Sequence, residues 1–346
     1  RWGAGKMSAL QSVSILPGTQ ERRQVQRFFR HWQNIAGLVI VFLFVCIAAG
    51  ADWLAPNSDP TWISALTWED DRYKVMPHPP AVETPLGTLP TRRSAIQIDI
   101  WTSLVHGTRT AMKFGLLAAL ITGLMGTLIG AAAGWFGGWI NDIIMRISDG
   151  LLALPVIVGV VVVQQVVMIL TGHTFWAWLE TGAGKNLGIF GTWFGNFLIS
   201  VDATLLAIIL FSWMPYARLI NNIVLRNKEM AYIKAAKSLG ASSGRIIFTH
   251  LIPNSIAPLV VLFTKDVGSF VMLQASFTFI GLGTTSEWGS VMYYARDYLV
   301  GLGGNMITNW WVFLPITLAL ILFSVGWNLL GDGLNDLLNP RQNHSL

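Results

Sequence analysis

Residues 232–254 read YIKAAKSLGASSGRIIFTHLIPN, a polar and basic stretch with Gly240 near its centre. Helix-prone segments lie on both sides of Gly240, and glycine readily adopts the left-handed conformation in which many helices end. Ser242 or Ser243 can cap the second segment, because a serine hydroxyl accepts a hydrogen bond from the free amides at a helix start. The stretch therefore predicts two short helices joined by a tight turn.

The chain on either side of this stretch is apolar enough to cross a bilayer. Hydrophobic residues make up 53% of the sequence and charged residues only 12%, whereas soluble domains carry about 25% charged residues. The mean hydropathy is +0.53. A spanning helix needs about 20 mostly apolar residues, and six runs meet this requirement: 34–54, 111–136, 148–171, 199–219, 256–282 and 311–330. The sequence thus predicts an all-α integral membrane protein with six transmembrane helices.

The distribution of Lys and Arg predicts the orientation of these helices. Basic residues concentrate in the tail 1–33 and in the loop 221–255, and the cytoplasmic flanks of membrane spans retain positive charge. Six spans place both ends of the chain on the same side of the membrane. We therefore expect the loop 221–255 and the two tails, 1–33 and 332–346, in the cytoplasm. The proline-rich segment 55–110 then lies outside, either as an irregular cap facing a soluble partner or as an ordinary connector.

Glycine and proline positions predict how the apolar helices meet. Gly126, Gly130 and Gly134 recur at four-residue spacing, so they line one helix face and allow a neighbouring backbone to approach closely. Pro155 interrupts the third apolar run, and an interior proline removes a backbone hydrogen bond and favours a kink. We expect the second helix to be buried in the bundle and the third to be kinked.

Polar residues within the apolar runs are candidates for a substrate pathway, because buried polarity is costly in a bilayer and often marks a route for ions or solutes. They are Gln164, Gln165, Lys265, Asp266 and Gln274. The alternative interpretation is hydrogen bonding between helices. Neighbours in sequence do not share a helix face, so at most one of Lys265 and Asp266 faces a central cavity, and the other pairs with a neighbouring helix or reaches towards the interface.

The sequence contains no recognisable nucleotide, metal or catalytic motif. Gly184-Lys185 is followed by Asn186, whereas a phosphate-binding loop needs Ser or Thr there and a Gly at the place of Leu179. The single cysteine, Cys46, excludes an internal disulfide and a cysteine-based metal site. No histidine pair has the spacing of a zinc site on a helix. The net charge of +5 reflects membrane orientation, and we expect no nucleic-acid binding.

Residues 232–254 resemble the cytoplasmic coupling loop of binding-protein-dependent ABC importer permeases. The pattern of that loop is Glu-Ala-Ala, three residues, Gly, nine residues, and then Ile-x-Leu-Pro. The residues that match it are Ala235, Ala236, Gly240 and Pro253, with Ile252 in the Leu position. Lys234 replaces the Glu of the pattern, and His250 replaces the Ile.

Further motifs resemble the peptide and nickel branch of this family, in particular its second, or C-type, permease. They are TPLGT at 84–88, HGTR at 106–109, GWFGGW at 134–139, FTFIGLG at 277–283, Trp288-Gly289, and NLLGDGLND at 328–336. The resemblance extends over residues 84–341 and implies a type I ABC importer permease. Its first transmembrane helix would be 34–54, and its core permease domain, with five more helices and the coupling loop, would be 111–331.

This resemblance implies partners and functional residues. The partners are a sister permease, two cytoplasmic ATPase subunits that hold ATP and Mg, and an extracytoplasmic solute-binding protein. The chain itself would be non-catalytic, carry no cofactor, and lie in the cytoplasmic (inner) membrane of a bacterium or archaeon. The residues implied to couple it to the ATPases are Lys234, Ala235, Ala236, Gly240, Ala241, His250 and Pro253.

The cargo expected from this branch is a di- or oligopeptide, with oligosaccharides or a nickel chelate as alternatives. An ion-coupled secondary transporter is the alternative from a different class. It predicts inverted repeats and ionisable residues at broken helices, and Lys265 and Asp266 are the charges that qualify. A third class, an integral-membrane enzyme, would need clustered histidines or carboxylates at one membrane face, which the sequence lacks.

Overall fold

The computed structural model describes residues 28–61, 76–91, 96–172, 203–281, 286–300 and 307–338. The long helices are α1 (Trp32–Ala49), α3 (Ile100–Phe136), α4 (Gly138–Leu152), α5 (Val156–Gly172), α7 (Met214–Asn227), α10 (Ile256–Ile280), α11 (Glu287–Val300) and α12 (Trp310–Leu338). The shorter elements are α2 (Ala51–Leu54), β1 (Thr88–Pro90), β2 (Gln97–Asp99), α6 (Ala203–Ser212), α8 (Ala231–Ser238) and α9 (Ser243–Ile246). A π turn, Ile247–Leu251, and a 3₁₀ turn, Pro253–Ser255, connect α9 to α10.

The apolar helices of the described residues agree with the predicted all-α membrane fold. Five helical segments are long and apolar enough to cross a bilayer, and a bent pair brings the number to six if it counts as one span. The bent pair is α4 followed by the first part of α5, with an angle of 92° between them. Pro155 lies in the break between the two helices, so the predicted kink is confirmed. The apolar run 148–171 is therefore the last turn of α4 and then α5, rather than one straight helix.

Glycines allow α3 and α7 to pack with their backbones in contact. A Cβ on Gly126 would lie 2.6 Å from Tyr216 Cβ, and one on Gly130 would collide with the backbone of Ala217. A Cβ on Gly134 would lie 3.0 Å from Val224 Cβ. All three glycines are buried. The four-residue spacing thus marks the face where the second span meets its neighbour, as predicted.

Helix α3 begins at Ile100, well before the apolar run at 111. Asp99 caps it, because the Asp99 carboxylate accepts hydrogen bonds from the amides of Trp101, at 3.1 Å, and Thr102, at 3.4 Å. Hydropathy does not detect this extension, since residues 101–110 include several polar side chains. The segment predicted to be a loop up to residue 110 is therefore helical from Ile100.

The proline-rich segment 55–110 contains a small sheet, although its prolines predicted an irregular structure. Strands β1 and β2 are antiparallel, with Leu89 opposite Ile98 and Pro90 opposite Gln97. Both Leu89 and Ile98 are buried in the main apolar core. Pro90 occupies the last position of β1. Proline is tolerated at a strand end, because its missing N–H does not interrupt the hydrogen bonds in the middle of the sheet.

The last helix packs against α1 and α10 through the NLLGDGL motif. A Cβ on Gly333 would lie 2.9 Å from Asn34 Cγ, and one on Gly331 would lie 2.7 Å from Thr264 Oγ1. A Cβ on Gly37 of α1 would lie 2.7 Å from Leu329 Cβ. The motif therefore has a packing role. Because glycine has no side chain, the helices can approach closely where they cross.

Candidate coupling loop and pathway residues

The turn between α8 and α9 has a defined hydrogen-bond geometry. Gly240 has a φ of +80°, a conformation that residues with a side chain rarely adopt. The Ala241 amide donates to the Ala236 carbonyl at 3.0 Å, and the Gly240 amide donates to the Lys237 carbonyl at 3.0 Å. These two bonds form a Schellman motif, in which glycine terminates a helix. The predicted turn at Gly240 is confirmed.

Ser242 starts the second helix of this loop. Its φ and ψ are extended, and its hydroxyl oxygen accepts a hydrogen bond from the Arg245 amide at 3.4 Å. Of the two serines that the sequence allowed as the cap, Ser242 is therefore the one that caps the helix. The chain stays helical from Ser243 to Ile280 through the π turn and the 3₁₀ turn. Pro253 opens that 3₁₀ turn, which leads directly into α10.

An apolar cluster, here called the anchor cluster, fixes the loop to the helix bundle. Its members are Ala131, Ile220, Val224, Ile233, Ile246, Ile247 and Leu251. Ile233, Ile246 and Leu251 have no exposed surface. The cluster joins both helices of the loop to α3 and α7.

A cation–π contact adds to the anchor cluster. Lys237 Nζ lies 4.4 Å from the centroid of the Trp135 ring. Lysine or arginine above an aromatic face is stabilising by about 0.5–1 kcal/mol at exposed sites. Trp135 is thereby a second attachment of α8 to the end of α3.

The opposite side of the loop presents exposed apolar and basic side chains. Leu239, at the apex beside Gly240, is 88% exposed, and Phe248 is 62% exposed. Lys234 and Arg245 are also exposed, and Lys234 Nζ lies 3.3 Å from Glu229 Oε2. An exposed leucine and phenylalanine beside cations form a surface suited to a partner with an apolar, acidic cleft.

The predicted coupling residues divide between these two sides. Ala236 and Ala241 pack against the anchor cluster, whereas Ala235, Gly240 and Pro253 are exposed. His250 is half-buried, and its ring packs edge-on against Tyr232 with centroids 6.2 Å apart. The Asn254 amide donates to the Tyr232 hydroxyl at 3.5 Å. His250 thus holds the two arms of the loop together.

Three of the candidate pathway residues have side chains that the structure describes: Lys265, Asp266 and Gln274. Lys265 pairs with Asp332 of α12, with Nζ 2.8 Å from Oδ1. Asp266 instead faces the Tyr216 hydroxyl of α7. The two neighbours thus contact different helices, as the helical period requires. Gln274 is 4% exposed and buried inside this chain, and Gln164 and Gln165 belong to α5 with side chains outside the described part of the structure.

Two of the family-like motifs, at 106–109 and 288–289, pack against each other. Trp288 is 1% exposed, and its indole nitrogen donates to the Leu104 carbonyl at 3.2 Å. A Cβ on Gly107 would lie 2.5 Å from that nitrogen. Gly107 is therefore the position that admits the Trp288 ring. Sequence reasoning identified both motifs but not their contact, which joins residues far apart in the chain.

Arg109 joins α3 to the end of the first span. Its guanidinium forms a two-pronged pair with Asp52, with nitrogen–oxygen distances of 2.7 and 2.9 Å, and its Nε donates to the Ala48 carbonyl at 2.9 Å. The hydrogen bonding of Arg109 to Asp52 holds the pKa of the Asp52 carboxyl below its usual range. Burial raises the pKa of the Glu287 carboxyl, and the nearby His106 acts in the opposite direction.

The described residues thus form a multi-helix apolar bundle with a two-helix loop anchored at one end. The chain matches the family model for the binding-protein-dependent transport system inner membrane component over residues 126–344. It belongs to this family, and it is a multi-pass membrane protein and a permease subunit of an ABC importer.

Relatives with established or assigned roles are similar over nearly their whole length. The glutathione transport system permease protein GsiD of Pectobacterium atrosepticum is 29% identical over 319 residues, covering 91% of this chain and 89% of the relative. A putative peptide transport system permease protein of Brucella abortus is also 29% identical, covering 91% and 90%. Escherichia coli GsiD is 28% identical, covering 97% of both chains.

Proposed function

We propose that this subunit carries di- or oligopeptides and that its coupling to ATP hydrolysis passes through the Gly240 loop. The observation that carries the proposal is the division of this loop into two sides. One side is locked to α3 and α7 by the anchor cluster, and the other exposes Leu239 and Phe248. A loop of this kind transmits force, because its outer side binds a partner while its inner side moves the bundle.

The partners are a sister permease, two ATPase subunits with ATP and Mg, and an external solute-binding protein. Membership in a binding-protein-dependent family supports this assembly. ATP drives transport only if the closed ATPase dimer binds one conformation of the permease more tightly than the other. The Gly240 loop would supply that differential contact, and the 92° break at Pro155 would be one place where the bundle bends.

Orientation in the membrane follows from the same arrangement. Both termini and the loop 221–255 lie in the cytoplasm, since they carry most of the basic residues. The β1–β2 sheet then lies on the outer side, where the solute-binding protein delivers its cargo. The expected location is the cytoplasmic membrane of a bacterium or archaeon.

The peptide cargo is supported by the names of the relatives, which refer to glutathione and to peptides. Glutathione is itself a tripeptide, so both names point to small peptide-like solutes. Within the chain, Asp266 is a half-buried carboxylate that suits a cationic amine. Oligosaccharides and nickel chelates remain the alternatives that substrate assays would separate from peptides.

The test compares two exposed leucines. Leu239→Asp places a charge at the apex of the loop, whereas Leu338→Asp places one at the end of α12, where the leucine is 37% exposed. With the complete importer in vesicles, we expect Leu239→Asp to reduce ATP-dependent dipeptide uptake at least tenfold while the subunit remains in the membrane. Leu338→Asp should retain uptake. Normal uptake in the Leu239 variant would refute coupling through this loop.

A further inference from the structure

Two neighbouring apolar spans are interrupted at corresponding places. Helices α4 and α5 are separated by residues 153–155, and α6 and α7 are separated by Trp213. Pro155 lies in the first interruption, and Pro215 is the second residue of α7. Proline has no backbone N–H, so neither residue can donate a hydrogen bond to the helix that precedes it. Both interruptions are therefore weak points in the backbone hydrogen bonding of their spans.

The two interruptions lie side by side in one apolar cluster, here called the hinge cluster. Residues that flank both breaks belong to it: Phe211, Trp213, Met214 and Ala217 are buried there, and Leu151, Leu152 and Val156 pack against them. On one side of the hinge cluster α5 packs against α6, where a Cβ on Gly159 would lie 2.7 Å from the Phe211 ring. On the other side α4 packs against α7.

Helix α4 is attached to α7 by two polar contacts, here called the polar clamp. Arg218 Nη2 donates to Asp149 Oδ1, and Asn221 Nδ2 donates to Asn141 Oδ1. Positions 141 and 149 are about 12 Å apart along α4, at 1.5 Å per residue. Two attachments at that separation hold α4 in a fixed direction on α7, whereas a single contact would allow it to pivot.

The polar clamp lies in a part of the chain where separated charges are costly. Arg218 belongs to the segment Thr204–Asn227, which is long and apolar enough to cross a bilayer. A charged side chain within a span is unfavourable unless a partner neutralises it. Rupture of the pair would leave Arg218 and Asp149 without neutralisation, so the pair favours movement of α4 and α7 together. Helix α7 also contributes to the anchor cluster, which joins it to the Gly240 loop.

We propose that α4 and α7 form one rigid unit, held by the polar clamp, and that this unit swings about the hinge cluster when the Gly240 loop is displaced. Helices α5 and α6 form the other arm of the hinge. Hinges are a few residues at the ends of elements that absorb changes in φ and ψ, and residues 153–155 and Trp213 occupy such positions. The clamp residues are positioning residues, because they act through the helices that they join. This inference rests on the proposed function, in which the loop supplies the movement.

The first test measures movement at the clamp and at the hinge by cross-linking. In a Cys46→Ser background, which removes the single cysteine, Asn141→Cys with Asn221→Cys reports on the clamp, and Leu152→Cys with Val156→Cys reports on the first interruption. A short bifunctional thiol reagent is applied to the assembled importer with and without ATP. We expect the same yield in both conditions for the clamp pair, and a roughly threefold change for the other pair as the population of bent states shifts. A change at the clamp, or no change at the interruption, would overturn the proposal.

The second test measures coupling. Arg218→Ala should lower the dipeptide uptake per ATP hydrolysed about fivefold or more, because α4 no longer follows α7. This ratio does not depend on how much of the subunit reaches the membrane, so a loss of folded protein alone leaves it unchanged. The matched control is Arg226→Ala, at an exposed arginine of the same helix, which should be coupled like the parent.

A charge exchange tests whether the pair itself is responsible. Arg218→Asp combined with Asp149→Arg restores an opposite pair, and we expect it to return the ratio to the parental value. An unchanged ratio in Arg218→Ala would overturn the proposal, and so would an exchanged variant that is coupled no better than Arg218→Ala.

The two tests separate this inference from the proposed function. Cross-linking requires the assembled importer but no knowledge of its cargo. If the parent assembly takes up no dipeptide while cross-linking responds to ATP at the interruption and not at the clamp, the peptide assignment fails and the hinge stands. If uptake is normal and Arg218→Ala remains fully coupled, the importer function stands and the clamp has no part in it.

Discussion

The two ends of the helix bundle use their motif residues in different ways. At the end that carries Trp288, Gly107, Trp288 and Arg109 are all engaged within the chain, by ring packing and by the pair with Asp52. At the Gly240 loop, Ala236 and Ala241 pack inward, whereas Lys234, Ala235, Gly240 and Pro253 are exposed. The difference indicates that the motifs at the Trp288 end build the fold, whereas the loop both builds the fold and offers a surface. Substitutions at the Trp288 end should therefore affect stability, and substitutions at the loop surface should affect coupling.

The largest effect is expected for Trp288→Ala. Removal of a fully buried tryptophan leaves a cavity and costs about 3–5 kcal/mol. We expect the purified subunit in detergent to unfold at a markedly lower temperature, with little of it reaching the membrane. Trp53→Ala is the matched control, because Trp53 is 87% exposed. Equal stability of the two variants would contradict a structural role for Trp288.

A smaller loss is expected for Gly107→Ala. Alanine normally favours a helix over glycine, but at this position its Cβ would overlap the Trp288 ring, and overpacking costs about 1–3 kcal/mol. Gly150→Ala in α4 is the control, since nothing lies within 4 Å of its Cβ. Thermal unfolding should show destabilisation at 107 and none at 150. Destabilisation of the same size at both positions would show that close packing is not the cause.

At the loop, Gly240→Ala tests the backbone conformation alone. A Cβ on Gly240 or Gly244 would meet nothing within 4 Å, but only Gly240 of these two has a positive φ. The left-handed conformation costs alanine about 1–2 kcal/mol. We expect Gly240→Ala to lower the uptake supported per ATP hydrolysed while the protein stays folded. Gly244→Ala should behave as the parent, and a similar loss in both variants would point to surface contacts instead of the turn.

The smallest effect is expected for Asp52→Asn. Its pair with Arg109 lies at the surface, with the Asp52 side chain 73% exposed, and exposed pairs of this kind contribute little to stability. The melting temperature should fall only slightly, and less at high salt because ions screen the pair. A loss as large as that of Trp288→Ala would mean that the contact between α3 and the end of the first span depends on charge rather than on packing.

Local sequence signals were sufficient for much of this architecture. Apolar runs, the spacing of Gly126, Gly130 and Gly134, the break at Pro155 and the turn at Gly240 all depend on residues close together in the chain. The pattern around Gly240 also indicated the loop that we propose to couple the subunit to the ATPases, although the split between anchoring and exposed alanines needed the structure. The start of α3 at Ile100 was missed. The first turns of this helix, which Asp99 caps, contain polar residues, and hydropathy detects only apolar runs.

Contacts between distant residues set the limit of prediction. The pairing of Lys265 with Asp332 and the insertion of Trp288 beside Gly107 join separate helices, and no periodicity in one segment specifies the partner. Gln274 is a different case. The helical repeat already places it opposite Lys265, so the sequence alone indicated that Gln274 and Lys265 do not share a helix face.

Attachment of a photoreactive thiol probe tests the central claim most directly. In the Cys46→Ser background, the probe is attached at Leu239→Cys or at Leu338→Cys in the assembled importer and is then illuminated. The account predicts that the probe at 239 forms a covalent adduct with the ATPase subunit, more strongly when ATP is bound, and that the probe at 338 forms none. Absence of an adduct at 239, or labelling of that cysteine by an impermeant reagent from the outer side, would contradict it.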